Sequence, residues 1–154
     1  MLRASPAISP ENLPHVWRAP ELARIVEPVV ATGHAALDAH LPGGGWPQGS
    51  LVEVLQARAG RHAWQLLLPA LAQVTQQGSG PVVLVNPPHL PFGPALAAQG
   101  LAPDRLLRVQ APQAGLWASE QALRCADVLA VLAWLPRCRG ADLRRLHLAA
   151  AEHH

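Results

Sequence analysis

Apolar positions along this chain change period several times, and each change marks an element. From Trp64 to Thr75 they recur at helical spacing, with Trp64, Leu67, Leu68, Leu71 and Thr75 on one face, which predicts an amphipathic helix. Pro69 lies inside it and predicts a kink, because proline supplies no N–H to the helical ladder. Gly78 and Gly80 end the run. Pro81–Asn86 (PVVLVN) is apolar almost throughout and too short for a helix, the pattern of a buried strand. Pro94–Gln99, closed by Gly100, predicts a second helix, Leu106–Val109 a short strand and Leu116–Arg124 a third helix. Val128–Trp134 (VLAVLAW) reads as a fully buried strand. Ala141–Glu152 reads as a last helix, with Leu143, Leu146 and Ala150 sharing a face. Upstream, Ser50–Leu55 (SLVEVL) reads as the first strand of the series. Apolar strands alternating with amphipathic helices predict an α/β fold, a parallel sheet covered by helices on both faces.

The stretch before Ser50 has a different character. Residues 1–27 are broken by prolines and show no period, so they are expected to form a flexible or partly ordered arm, pinned to the body by Trp17. Residues 28–154 form the core. Within Pro28–Ser50, Thr32 or Gly33 followed by Ala35, Leu37 and Leu41 predicts a short helix ended by Pro42 and Gly43–Gly45. The three glycines are expected to be a flexible bend, and Pro47-Gln48-Gly49 has the chemistry of a tight turn. His154 comes directly after a helix, where an α/β unit delivers its next strand. The core is therefore expected to be incomplete, with a C-terminal part of the natural protein absent.

Composition narrows the function. With 154 residues, half of them hydrophobic, the chain suffices for one domain. Its 12 basic residues are all arginine and face 10 acidic ones, giving a net charge of +2 and no strong overall field. The absence of lysine excludes Schiff-base chemistry and a phosphate-gripping lysine. The longest apolar stretch, Ala126–Leu135, is interrupted by Asp127 and falls short of the about 20 residues that span a bilayer. The N-terminus MLRASPAISPENLP has no apolar core of a secretory signal. Cys125 and Cys138 then read as reduced thiols, and the expected location is the cytoplasm.

The positions where an α/β nucleotide enzyme keeps its chemistry are occupied by other residues. The loop after the first expected strand runs Gln56-Ala57-Arg58-Ala59-Gly60-Arg61-His62. A phosphate-binding Walker loop needs GxxxxGK[ST], with amides cradling the phosphates and lysine and hydroxyl holding phosphate and magnesium. Here Gln56, Arg58, Gly60, Arg61 and His62 form a degenerate version, and a planar guanidinium does not substitute for a lysine point charge. Asn86-Pro87-Pro88 follows the second strand where a catalytic carboxylate belongs, and Val128–Trp134 carries no aspartate at its end. The eight histidines and two cysteines lack metal-ligand spacing. No catalytic residue, metal or cofactor is expected. Arg137, Arg139, Arg144 and Arg145, opposed by Asp142 alone, gather after the last strand, with Trp117 near the same rim. They are candidates for a DNA or partner contact, against the plainer reading of a solvated helix face; Trp134 reads as core.

Several blocks resemble a known family. ATGHAALDAHLPGGGWPQGSLVEVL is similar to the opening of the RecA-type core, and GLAPDRLLRVQAPQAGLWASEQALR to its third strand and helix. LPGGGWPQGSLVEVL, LLLPALA, PPHLPFGPALAAQGL, WASEQALR and AVLAWLP resemble the ImuA family, in order, from about Val16 to the end. That resemblance implies a RecA-like fold and a non-catalytic adaptor in SOS-induced mutagenic translesion synthesis. It implies ImuB as partner, an error-prone replicative-type polymerase engaged indirectly, and the RecA filament, DNA and self-association as further candidates. Against RecA, Gly60–His62 stand for the Walker lysine and threonine, Pro87 or Pro88 for the catalytic carboxylate, and Leu132 for the metal-side aspartate. LLLPAL and AWLP also resemble SulA, the division inhibitor that binds FtsZ, although SulA lacks the LDAHLPGGGWPQG stretch. A SulA-like inhibitor and a residual ATP-binding RecA-type protein are the alternatives.

Overall fold

The structure, a computed structural model, describes residues 28–56 and 62–152. The expectations for the arm, Trp17 included, lie outside the described residues. In chain order the elements are β1 (Val29–Val30), α1 (Ala35–Asp38), β2 (Trp46–Pro47), α2 (Ala63–Gln77), β3 (Val82–Val85), α3 (Gly93–Ala98), β4 (Leu106–Val109), α4 (Gly115–Leu123), β5 (Ala130–Ala133) and α5 (Gly140–Ala151). Two 3-10 turns add Pro42–Gly44 and Pro103–Arg105.

The fold is α/β. A three-stranded parallel sheet runs in the order β4-β3-β5, with Val82 opposite Leu106 and Ala130, and Val85 opposite Val109 and Ala133. All four residues of β3 are buried, because helices cover both sides of this central strand and leave no face for polar alternation. Side chains of a strand alternate between faces. Val82 and Leu84 accordingly join Leu68, Leu71, Ala72, Leu96 and Leu101 beneath α2 and α3. Val83 and Val85 point the other way, where α4 packs on β3, β5 and α5. Buried hydroxyls are satisfied within their own helices: Thr75 Oγ1 donates to the Leu71 carbonyl at 2.8 Å and Ser119 Oγ to that of Gly115 at 2.8 Å.

Two expected strands differ. Ser50–Leu55 forms no strand; Val52 and Val54 are exposed and Leu55 is 90% exposed. Its Leu51 N–H donates to His147 Nδ1 on α5 at 3.4 Å, so a side chain takes the place of a strand carbonyl. Val128–Trp134 is not fully buried: it pairs only over Ala130–Ala133, and Ala133 is exposed. Among the described residues no strand flanks β5 on its far side, so it is an edge strand whose residues are only partly buried.

Residues 28–50 make a small hairpin module. β1 and β2 pair antiparallel, Val29 with Pro47 and Val30 with Trp46. The glycine run contributes a 3-10 turn between the two strands. Thr32 is buried, its N–H donating to Asp38 Oδ1 at 2.9 Å and its hydroxyl accepting from the His34 N–H at 3.0 Å. Gly33 has φ +81°, and a Cβ there would lie 2.3 Å from Pro69 Cβ, so only glycine fits. The next residue accounts for how α2 runs through Pro69. Proline leaves the carbonyl of Gln65, four residues back, without its helical donor; His34 Nε2 lies 3.1 Å from that oxygen and donates instead.

Candidate interaction surface at the carboxyl edge of the sheet

Three loops leave the carboxyl ends of the parallel strands, residues 86–92 after β3, 110–114 after β4 and 134–139 after β5. The β3 loop leads to α3 on one face, while its neighbours lead to α4 and α5 on the other. Open α/β sheets place their ligand contacts where neighbouring connections diverge in this way.

Asn86 ties two of the loops together. At φ +51° its backbone N–H donates to the Val109 carbonyl at 2.9 Å. Its side-chain Nδ2 donates to the Ala111 carbonyl at 3.0 Å and its Oδ1 accepts from the Ala111 N–H at 2.7 Å. A side-chain amide thus continues the β3–β4 ladder past the end of the strand. Gly115 makes room for it, since a Cβ there would come within 2.5 Å of Nδ2. Pro87 is buried, and beyond Pro88 the loop turns outward, leaving Leu90 and Phe92 exposed, Phe92 by 72%. Trp117, in the first turn of α4, is exposed as well. Trp134 lies inward against the core, its ring 6.5 Å from that of Trp64.

The four arginines divide. Arg137, Arg139 and Arg144 are exposed. The Asp142 carboxylate accepts the Arg139 N–H at 3.0 Å and its own N–H donates to the Arg139 carbonyl at 2.9 Å, which caps α5. Arg145 is drawn away to the buried carboxylate of Glu120. Arg124 also bonds Glu120 at 3.0 Å and lies 3.9 Å from Glu152, so Arg145 belongs to an ionic brace between α4 and α5. Sequence reasoning missed Glu120, Leu90 and Phe92. A glutamate inside an otherwise apolar helix face, and two large apolar residues in the proline-rich run NPPHLPF, are the signals that pointed to them.

Of the degenerate loop, Gln56 and His62 are described, while Arg58, Gly60 and Arg61 lie outside the described residues. His62 is exposed beside Gln65, ring nitrogen to Oε1 3.2 Å. Leu132 is half-buried and packs on the α2 side of the core. Burial pushes the Cys138 thiol above its ordinary range, and the carboxylates of Asp142 and Glu53 push it further the same way, which keeps it protonated and a poor nucleophile at neutral pH. Among the described residues no three histidine, cysteine or acidic side chains gather as metal ligands do, and no helix is long and apolar enough to cross a membrane.

Known proteins are similar to this chain in sequence and in architecture. The chain is 32% identical over 106 residues to the cell division inhibitor SulA of Edwardsiella piscicida, 68% of this chain and 63% of that protein. The crystal structure of SulA from Pseudomonas aeruginosa matches with a TM-score of 0.52 and 28% identity, over 64% of this chain and 86% of that one. The chain is similar to SulA in sequence and in fold. It spans somewhat less than two thirds of the Edwardsiella SulA. No family model matches. Both likenesses back the SulA-like alternative better than the translesion reading.

Proposed function

We propose that this protein is a SulA-like inhibitor of cell division that acts by binding FtsZ, as part of the SOS response. The observation that carries this reading is the agreement of two independent likenesses, identity to one SulA along the chain and the backbone of another. The reading requires no catalytic step. It needs a stable α/β scaffold that presents a surface, which fits the inert residues at Pro87, Pro88 and Leu132.

The test is expression of the chain in a rod-shaped bacterium, together with sedimentation of purified FtsZ in its presence. Filamentous cells and reduced FtsZ polymer are expected; normal division and unchanged polymer would reject the reading.

A second reading has its own support. Leu41–Leu55 (LPGGGWPQGSLVEVL) resembles the ImuA family, and its first residues belong here to a folded module braced on α2 through Gly33, His34 and Pro69. A translesion adaptor bound to ImuB would follow from it. Retention of the chain on immobilised ImuB but not on FtsZ would put that reading first.

A further inference from the structure

We infer that the carboxyl edge of the sheet docks an acidic segment of a partner protein that also carries apolar side chains. The inference rests on the division-inhibitor reading for its partner and adds the place and chemistry of contact.

Charge gives the first argument. The loops 86–92, 110–114 and 134–139 contain Arg137 and Arg139 and not one aspartate or glutamate. Arg144 adds a third exposed guanidinium one turn into α5, so three guanidinium groups outnumber the two carboxylates that act here, Asp142, which caps that helix, and Glu53, which with Asp142 bears on Cys138. Guanidinium groups bind carboxylates in a two-pronged geometry that neither water nor a neutral amide reproduces. The backbone of Arg139 is fixed by the same cap, so its side chain starts from a defined place.

Exposed apolar side chains give the second argument. Leu90, in the loop after β3, and Trp117, in the first turn of α4, stand in solvent, whereas Phe92 adjoins Gly93, which faces Pro103 ahead of β4, and is not counted with them. Neighbouring strands lie about 4.8 Å apart, so three strands bring their loops within roughly 10 Å of one another across the sheet. Tryptophan and arginine are the residue types that dominate binding energy at protein interfaces, usually with a ring of weaker contacts around them. Asn86 and Gly115 hold two of these loops in register, so the anchors are presented by a pre-set frame. A nucleic acid asks for a denser set of charges than three guanidinium groups, and the chain as a whole carries only +2.

The experiment measures binding of the full chain to purified FtsZ by light scattering and fluorescence anisotropy. It uses wild type, the pair Leu90→Ser with Trp117→Ala, the pair Arg137→Glu with Arg139→Glu, and the control Leu148→Ser. Leu148 is an exposed apolar residue two turns further along α5. All substituted sites are exposed, and thermal melts establish that each variant folds. Each rim pair is expected to weaken binding by about tenfold or more, and the control by less than about twofold. Binding through the arginines should also weaken as salt rises from about 0.05 M to about 0.3 M. Unchanged affinity in both rim pairs would overturn this inference and leave the division-inhibitor reading standing. No binding by wild type would overturn both. A single-stranded oligonucleotide captured by the same rim more tightly than FtsZ would overturn the choice of a protein partner.

Discussion

β3 and the run Ser50–Leu55 carry similar apolar side chains, yet the first is the centre of the sheet and the second lies outside it. Val82–Val85 is no more than 2% exposed, whereas Leu55 is 90% exposed. Intrinsic strand preference is nearly the same in both, so it does not decide the outcome. The surroundings do. β3 has a hydrogen-bonded neighbour on each side and a helical layer on each face, while the amide of Leu51 meets a histidine of α5 and the valines after it meet water. Strand preference amounts to fitting a pleated, half-buried surface, and where that surface is missing the preference is silent.

Substitutions make the contrast measurable. Leu84→Ala removes a side chain 1% exposed at the middle of the core and should cost about 3 kcal/mol in a denaturant melt. A loss below about 1 kcal/mol would mean that the core relaxes around the cavity and that β3 is not the anchor described. Glu120→Ala tests the opposite kind of burial, a charge held by two guanidinium groups. We expect a loss of about 1–3 kcal/mol, less at high salt, because the half-exposed arginines can return to water.

His34→Ala should cost about 1 kcal/mol by leaving the Gln65 carbonyl without its donor. In a Pro69→Ala background, where the helix supplies its own N–H, the same change should cost almost nothing. Equal costs in the two backgrounds would remove the pairing of His34 with Pro69. At the small end, Leu55→Ser should shift stability by less than about 0.5 kcal/mol. A loss near that of Leu84→Ala would show that Ser50–Leu55 joins the sheet in solution.

Much of the architecture was legible before any coordinates. The helix over Trp64–Thr75 is contained in α2, Leu106–Val109 is β4 residue for residue, α3, α4 and α5 each shift by one residue, and α1 is shorter than the run expected for it. These segments are read from periodicity, which records which side faces the core. Ser50–Leu55 was misread because a local pattern contains no information about whether a partner strand arrives. The burial of β5 was overestimated for the same reason. At the carboxyl edge, the exposed arginines and Trp117 were visible as charge and size. The withdrawal of Arg145 to Glu120 was not, since those residues lie 25 positions apart and meet only when α4 and α5 pack. Leu90 and Phe92 were passed over because an apolar residue in a loop looks the same in sequence whether it folds inward or outward.

The bond from His34 to the Gln65 carbonyl also bears on the order of assembly. Most of α2 closes its ladder through neighbours four residues away, contacts that form fast and early. One rung depends on a donor 31 residues upstream, in a module that must first make its own hairpin. A proline in the helix therefore leaves one rung of α2 to be filled by protein only when residues 28–50 dock. A chain lacking His34 would fold at nearly the same rate and unfold faster, the kinetic mark of a contact made after the transition state.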